Sequence, residues 1–200
     1  MRFRIDLRVF IFLILFYLTN QIEIYALIMC FAIIHELGHL LAGIVLGFSP
    51  NKIEINPFGV SIGFKMNLKD YNKKIKKANI IEEKKIFVAM AGPIVNLLVI
   101  FIVNNLNINI YEKTMVIYSN LLLILFNLLP IVPLDGGRIL KGILHINFGK
   151  EKAEKYICDI SFILLIILTA ISSIAILYFK NIAIFIGIIF LWILHMQEEK

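Results

Sequence analysis

The stretch FAIIHELGHLLAGIVLGF, residues 31–48, sets two histidines and a glutamate inside an apolar run long enough to enter a lipid bilayer. Ionisable groups in hydrocarbon are costly unless they face a cavity or a ligand. HELGH, residues 35–39, fits the pattern H-E-x-x-H. On a helix its histidines, at i and i+4, project about 40° apart on one face with Glu36 beside them. Two imidazoles so placed can share one Zn²⁺ while the adjacent carboxylate acts on the hydrolytic water. A polar patch that merely mediates helix packing is the structural alternative.

The rest of the chain agrees with a membrane setting. Of its 200 residues, 60% are hydrophobic, more than a soluble domain of this size carries. The formal charge of +6 then records membrane topology, and no nucleic-acid partner is expected. Cys30 and Cys158 form neither a disulfide framework nor a CxxC metal pair, and both are expected to be small buried hydrophobes.

Working outward, residues 160–179 run for a full bilayer thickness without a charge, and residues 181–197 follow after one lysine. Residues 86–103 and 114–129 make a second pair, and residues 24–48 hold the opening motif. Residues 9–18 are short and follow three arginines like a signal peptide, but no convincing small-residue cleavage site comes after them. Six spans result. Of the 20 Lys and Arg residues, only Lys113 and Lys180 fall on one side of such a layout, which makes both termini and the two long loops cytoplasmic. Residues 51–64 alternate apolar positions about a turn at Pro57 to Gly59, a hairpin pattern. The charged stretch KDYNKKIKKANIIEEKK, residues 69–85, reads as a solvated face near lipid headgroups. The expected fold is an all-α polytopic membrane protein with a small β-hairpin after the second of six helices. It forms a single domain over residues 1–200.

A catalytic zinc takes a further protein ligand and leaves a position for water. NLLPIVPLDGGR, residues 127–138, offers one. Pro130 and Pro133 break the helix, and the freed backbone groups are tolerated at membrane depth only where buried or facing a wet cavity. Asp135 emerges from this break beside Gly136 and Gly137. It serves a cation, or it pairs with Arg138 or caps a following helix. Asn127 is either a packing amide or a donor aimed at substrate. MAGPIVN, residues 90–96, supplies small surfaces for close helix packing. His145 and His195 lie outside any metal spacing and read as interfacial.

HELGH in one helix, AGPIVN in the next and NLLPIVPLDGGR in the one after resemble the site-2 proteases, the intramembrane zinc metalloproteases of peptidase family M50. The resemblance covers residues 24 to about 143, the expected catalytic core. The short six-helix layout is most similar to the stage IV sporulation protein FB subgroup. The resemblance implies one zinc held by His35, His39 and Asp135, with Glu36 acting on the water and Asn127 positioning substrate or oxyanion. It also implies that the hairpin clamps an unwound substrate segment through Ile53, Ile55, Val60 and Ile62. The expected substrate is a membrane-associated protein, a sporulation sigma-factor precursor in the first instance, with inhibitory membrane proteins as partners and a bacterial cell membrane as the location. An anti-sigma factor, a signal-peptide remnant, or a zinc-binding scaffold without proteolysis are the alternatives. The subgroup's C-terminal nucleotide-sensing CBS domain has no counterpart before Lys200.

Overall fold

A computed structural model of the chain describes residues 2–5, 8–18, 22–56, 59–65, 75–107, 109–179 and 183–198. It divides into two compact units, Met1–Phe126 and Asn127–Lys200. The first runs β1 (Arg2–Ile5), α1 (Arg8–Leu18), α2 (Ile22–Val45), β2 (Ser49–Asn56), β3 (Gly59–Lys65), α3 (Ile75–Asn105) and α4 (Ile110–Asn127, whose last residue opens the second unit). The second holds α5 (Asp135–Phe148), α6 (Lys150–Phe179) and α7 (Ala183–Glu198).

Burial in the first unit is inverted relative to a soluble protein. On α2 the buried face carries His35, Gly38, His39 and Gly43, while Ile33, Leu37, Leu41 and Ile44 are exposed. On α3 the buried residues include Ala89 and Asn96, and Phe87, Ile94, Leu97, Leu98 and Phe101 point outward. Large apolar outer surfaces around a polar interior are what a lipid solvent requires. Among the described residues three helices are long and apolar enough to cross a membrane: Ile22–Val45, Asn79–Asn105 and Lys150–Ile176. At the other expected positions α1, α4 and α7 are helical but shorter, with 11, 18 and 16 residues.

α2 ends in a cap that its sequence encodes. Gly47 adopts a φ of 87°, the left-handed region open to glycine. The Phe48 N–H donates to the Gly43 carbonyl at 2.9 Å and the Gly47 N–H to that of Ile44 at 3.0 Å, the paired bonds of a Schellman motif. Lys84 Nζ from α3 donates to the Leu46 carbonyl at 3.0 Å, placing a cation at the negative end of the helix.

The expected hairpin is present, β2 pairing antiparallel with β3 from Ser49↔Lys65 to Asn56↔Gly59. Its register is irregular between Pro50 and Lys52, where the proline has no N–H to give the ladder. Pro57 and Phe58 of the expected turn lie outside the described residues, as do residues 69–74 of the charged stretch. A third strand was not expected. β1 pairs in parallel with β2, from Arg2↔Lys52 to Ile5↔Ile55, giving the order β1-β2-β3. The sheet rests on α2 through Phe64, whose ring lies where a side chain at Gly43 would stand.

In the second unit, residues 135–148 and 150–158 prove helical, parted by Gly149, where a long connection was expected. One buried stripe of α6 carries Ala153, Ile157, Ser161 and Leu165 at four-residue spacing. α7 packs on the same helix: Trp192 Nε1 donates to Thr169 Oγ1 at 3.0 Å and its ring meets Phe162 edge-on, centroids 5.5 Å apart. Two minor expectations are corrected. Cys30 is exposed on α2 and Cys158 half-buried on α6, where both were expected to be buried; His195 is buried in α7. Replacing Gly47 by Ala forces a Cβ into the left-handed region and should cost about 1 kcal/mol. Thermal unfolding in detergent should show a lowered midpoint, with the helical circular dichroism unchanged.

Candidate metal centre

α2 places His35 and His39 one turn apart, each 3% exposed, with ring centroids 4.8 Å apart and planes at 82°. His39 Nδ1 lies 2.7 Å from the Val88 carbonyl of α3. A carbonyl oxygen can only accept, so Nδ1 carries the proton and the lone pair falls on Nε2, the arrangement a metal-ligating histidine uses.

What faces those nitrogens is Gly92 of α3. A Cβ built there would lie 2.5 Å from Nε2 of His39 and closer still to Nε2 of His35. Both nitrogens therefore converge on one small space that only glycine leaves open. Gly38, between the histidines in sequence, permits the approach: a Cβ on it would stand 3.0 Å from the Ala91 carbonyl and 2.8 Å from Val95 Cγ2. Two buried imidazole nitrogens aimed at one point suit a borderline metal such as zinc. Glu36 is half-buried on the same helix, and follows His35 directly.

Asp135 opens α5 in the second unit and is 5% exposed. The proline-broken segment before it is tied down locally. The Ile131 N–H donates to the Leu129 carbonyl at 2.8 Å, the Leu134 N–H to that of Ile131 at 2.8 Å, and the Val132 N–H to Ser161 Oγ at 3.1 Å. The Val132–Pro133 peptide is cis. The paired glycines after Asp135 follow from this packing. A Cβ on Gly136 would collide with the Leu128 and Leu129 carbonyls, and one on Gly137 with Ile131 and Val132. Arg138 NH1 lies 3.8 Å from the Asp135 carboxylate, the ion pair that the sequence offered as an alternative, at a length beyond a hydrogen bond. The N-cap position of α5 is Leu134, which has no side-chain cap bond, and Asp135 is the first residue of the helix.

Asn127 ends α4, half-buried. The backbones of Ile53 and Ile55 lie in β2 and those of Val60 and Ile62 in β3; their side chains lie outside what is described. Sequence reasoning missed Gly92 as the floor of the histidine site and the Val88 carbonyl as its orienting acceptor. The AGP signal pointed to close packing, and close packing is what creates the space.

The chain is similar to known proteins. The sequence model of Peptidase family M50 matches residues 108–168. A zinc metalloprotease of Methanocaldococcus jannaschii is 33% identical over 144 residues, which cover 68% of this chain and 39% of that protein. The chain thus spans well under half the length of this curated relative. The structure of a site-2 protease from Methanocaldococcus jannaschii matches with a TM-score of 0.70 at 25% identity, covering 100% of this chain and 92% of that one. Together these make the chain similar to peptidase family M50 in sequence and to a site-2 protease in fold.

Gly92→Ala tests the site directly. The added methyl displaces both imidazoles, so zinc retained after purification should fall at least tenfold by elemental analysis, while Gly43→Ala, away from the nitrogens, should leave zinc content unchanged.

Proposed function

We propose that the chain is an intramembrane zinc metalloprotease in which His35, His39 and Asp135 hold one zinc ion and Glu36 is the general base. The observation that carries this is the convergence of two buried imidazole Nε2 atoms on the space above Gly92. Asp135 completes a two-nitrogen, one-oxygen donor set of the kind that leaves a catalytic zinc open to water. Its own burial and the backbone contacts that fix its segment support that role. Zinc held there supplies Lewis acidity, polarising a carbonyl and lowering the pKa of water to about 7.

The chain's own groups do the rest. The Glu36 carboxylate accepts a proton from the attacking water and returns it to the leaving nitrogen of the cut peptide. The His39 Nδ1–H stays on the Val88 carbonyl and holds the ring in one orientation. Asn127 donates toward the developing oxyanion. A helical substrate hides its amides in its own hydrogen bonds and must unwind before attack. β2 is paired on both sides, so β3 offers an open edge among the described strands, onto which an extended segment can add. Val60 and Ile62 then contact it, with Ile53 and Ile55 supporting from β2.

In this reading all six apolar helices span a bacterial cell membrane, with both termini cytoplasmic as the Lys and Arg distribution favours. α1 is about 16 Å long at 1.5 Å per residue, so it crosses only where the bilayer thins around it. The substrate is a membrane-associated protein. A sporulation sigma-factor precursor comes first, on the six-helix layout read as similar to the sporulation subgroup, and an anti-sigma factor or signal-peptide remnant second.

Co-expression with candidate precursors tests the reading. Glu36→Gln should reduce cleavage by about 10²–10⁴-fold while one zinc per chain is kept. Cleavage persisting in this variant would refute Glu36 as the base, and zinc binding with no cleavage of any precursor by the intact chain would favour the non-proteolytic scaffold.

A further inference from the structure

Asn96 lies on α3 one turn beyond Gly92 and is 0% exposed. Neither its Nδ2 nor its Oδ1 has a hydrogen-bond partner among the described residues. Asn120 on α4 is buried to the same degree, but its Nδ2 donates to the Val116 carbonyl of its own helix at 2.9 Å. Asn96 makes no such bond, so its amide is fully desolvated and idle. Proteins rarely keep such a group, because a buried donor or acceptor without a partner is destabilising and an apolar residue of the same shape would do better. Where one persists, a ligand that satisfies it is the first explanation to test.

Position and chemistry identify the ligand. Residues four apart share a helix face, displaced by about 6 Å along the axis. Gly92 points at the two imidazole nitrogens, so Asn96 stands on the same face, one step from them. A primary amide presents one acceptor and a two-proton donor side by side, the complement of a peptide group's N–H and C=O. A substrate helix unwound inside a membrane exposes those two groups with no water to satisfy them.

We propose that Asn96 binds a backbone peptide group of the unwound substrate close to the bond being cut, a role that rests on the protease reading given above. It is sequence-independent, since every residue of the substrate except proline offers the same pair.

The test uses the zinc-loaded full chain in detergent and three probes: acetohydroxamate, a peptidyl hydroxamate with two backbone amides, and the same compound with both amides N-methylated. Affinities are read by calorimetry. Asn96→Leu should weaken the peptidyl hydroxamate about tenfold or more and leave acetohydroxamate unchanged. Its thermal midpoint should stay level or rise, because an unsatisfied amide has been removed. N-methylation should weaken binding to the wild type and have little effect on Asn96→Leu. Equal affinity of the peptidyl hydroxamate for wild type and variant, or additive effects of variant and N-methylation, would overturn the inference and leave Asn96 as a group that holds buried water. Should Asn96→Leu fail to fold, Asn96→Ala is measured against the same three probes, and the same results support or overturn the inference. A wild-type chain that keeps no zinc and binds neither unmethylated probe removes the protease reading and this inference together; binding to the wild type that is indifferent to residue 96 removes the inference alone.

Discussion

The first unit depends on how closely α3 can approach α2. In a membrane there is little hydrophobic force between helices, so association relies on close packing and on hydrogen bonds between them. Gly38 admits the Ala91 carbonyl and the Val95 methyl, and Gly92 admits the two imidazoles. Larger residues at either glycine would push the helices apart and fill the space that the histidine nitrogens face. The same approach brings the Val88 carbonyl within 2.7 Å of His39 Nδ1, so one packing contact fixes distance, ring orientation and tautomer together.

The second unit applies the same economy to a segment that two prolines prevent from being helical. Its backbone groups are recovered by short-range turns and by the hydroxyl of Ser161, which is itself 0% exposed. Asp135 thus begins α5 on a scaffold held by backbone contacts rather than by side-chain plasticity, and Gly136 and Gly137 are required where the two stretches of main chain touch. A carboxylate held in place in a buried position is what a tight oxygen ligand needs.

The sequence reveals most where function depends on spacing along one element. His35, Glu36 and His39 are legible because four residues on a helix return to the same face, and the hairpin because apolar residues alternate about a turn. What the sequence hides depends on partners far along the chain. Arg2 to Ile5 alternates basic and apolar residues, yet its basic members read as topology, and nothing local announces a parallel partner at Lys52 to Ile55. Residues 135–148 read as part of a connection between spans, with the paired glycines read as permitting unusual backbone angles, whereas here the glycines answer to main chain of residues 128–132. Gly92 is the same case: its importance lies in which atoms it lets near. Asn96, read as packing, stands out only once its burial and its idle amide are known.

The central claim is a zinc ion bound by the two imidazoles of α2 and the carboxylate that begins α5. X-ray absorption at the zinc edge on the purified chain measures it most directly. The account predicts one zinc per chain with two imidazole nitrogens and oxygen donors at about 2.0–2.2 Å, and loss of an oxygen donor or of the metal in Asp135→Ala. A chain that purifies without zinc under metal-replete conditions, or whose zinc shell is the same in Asp135→Ala, would contradict it.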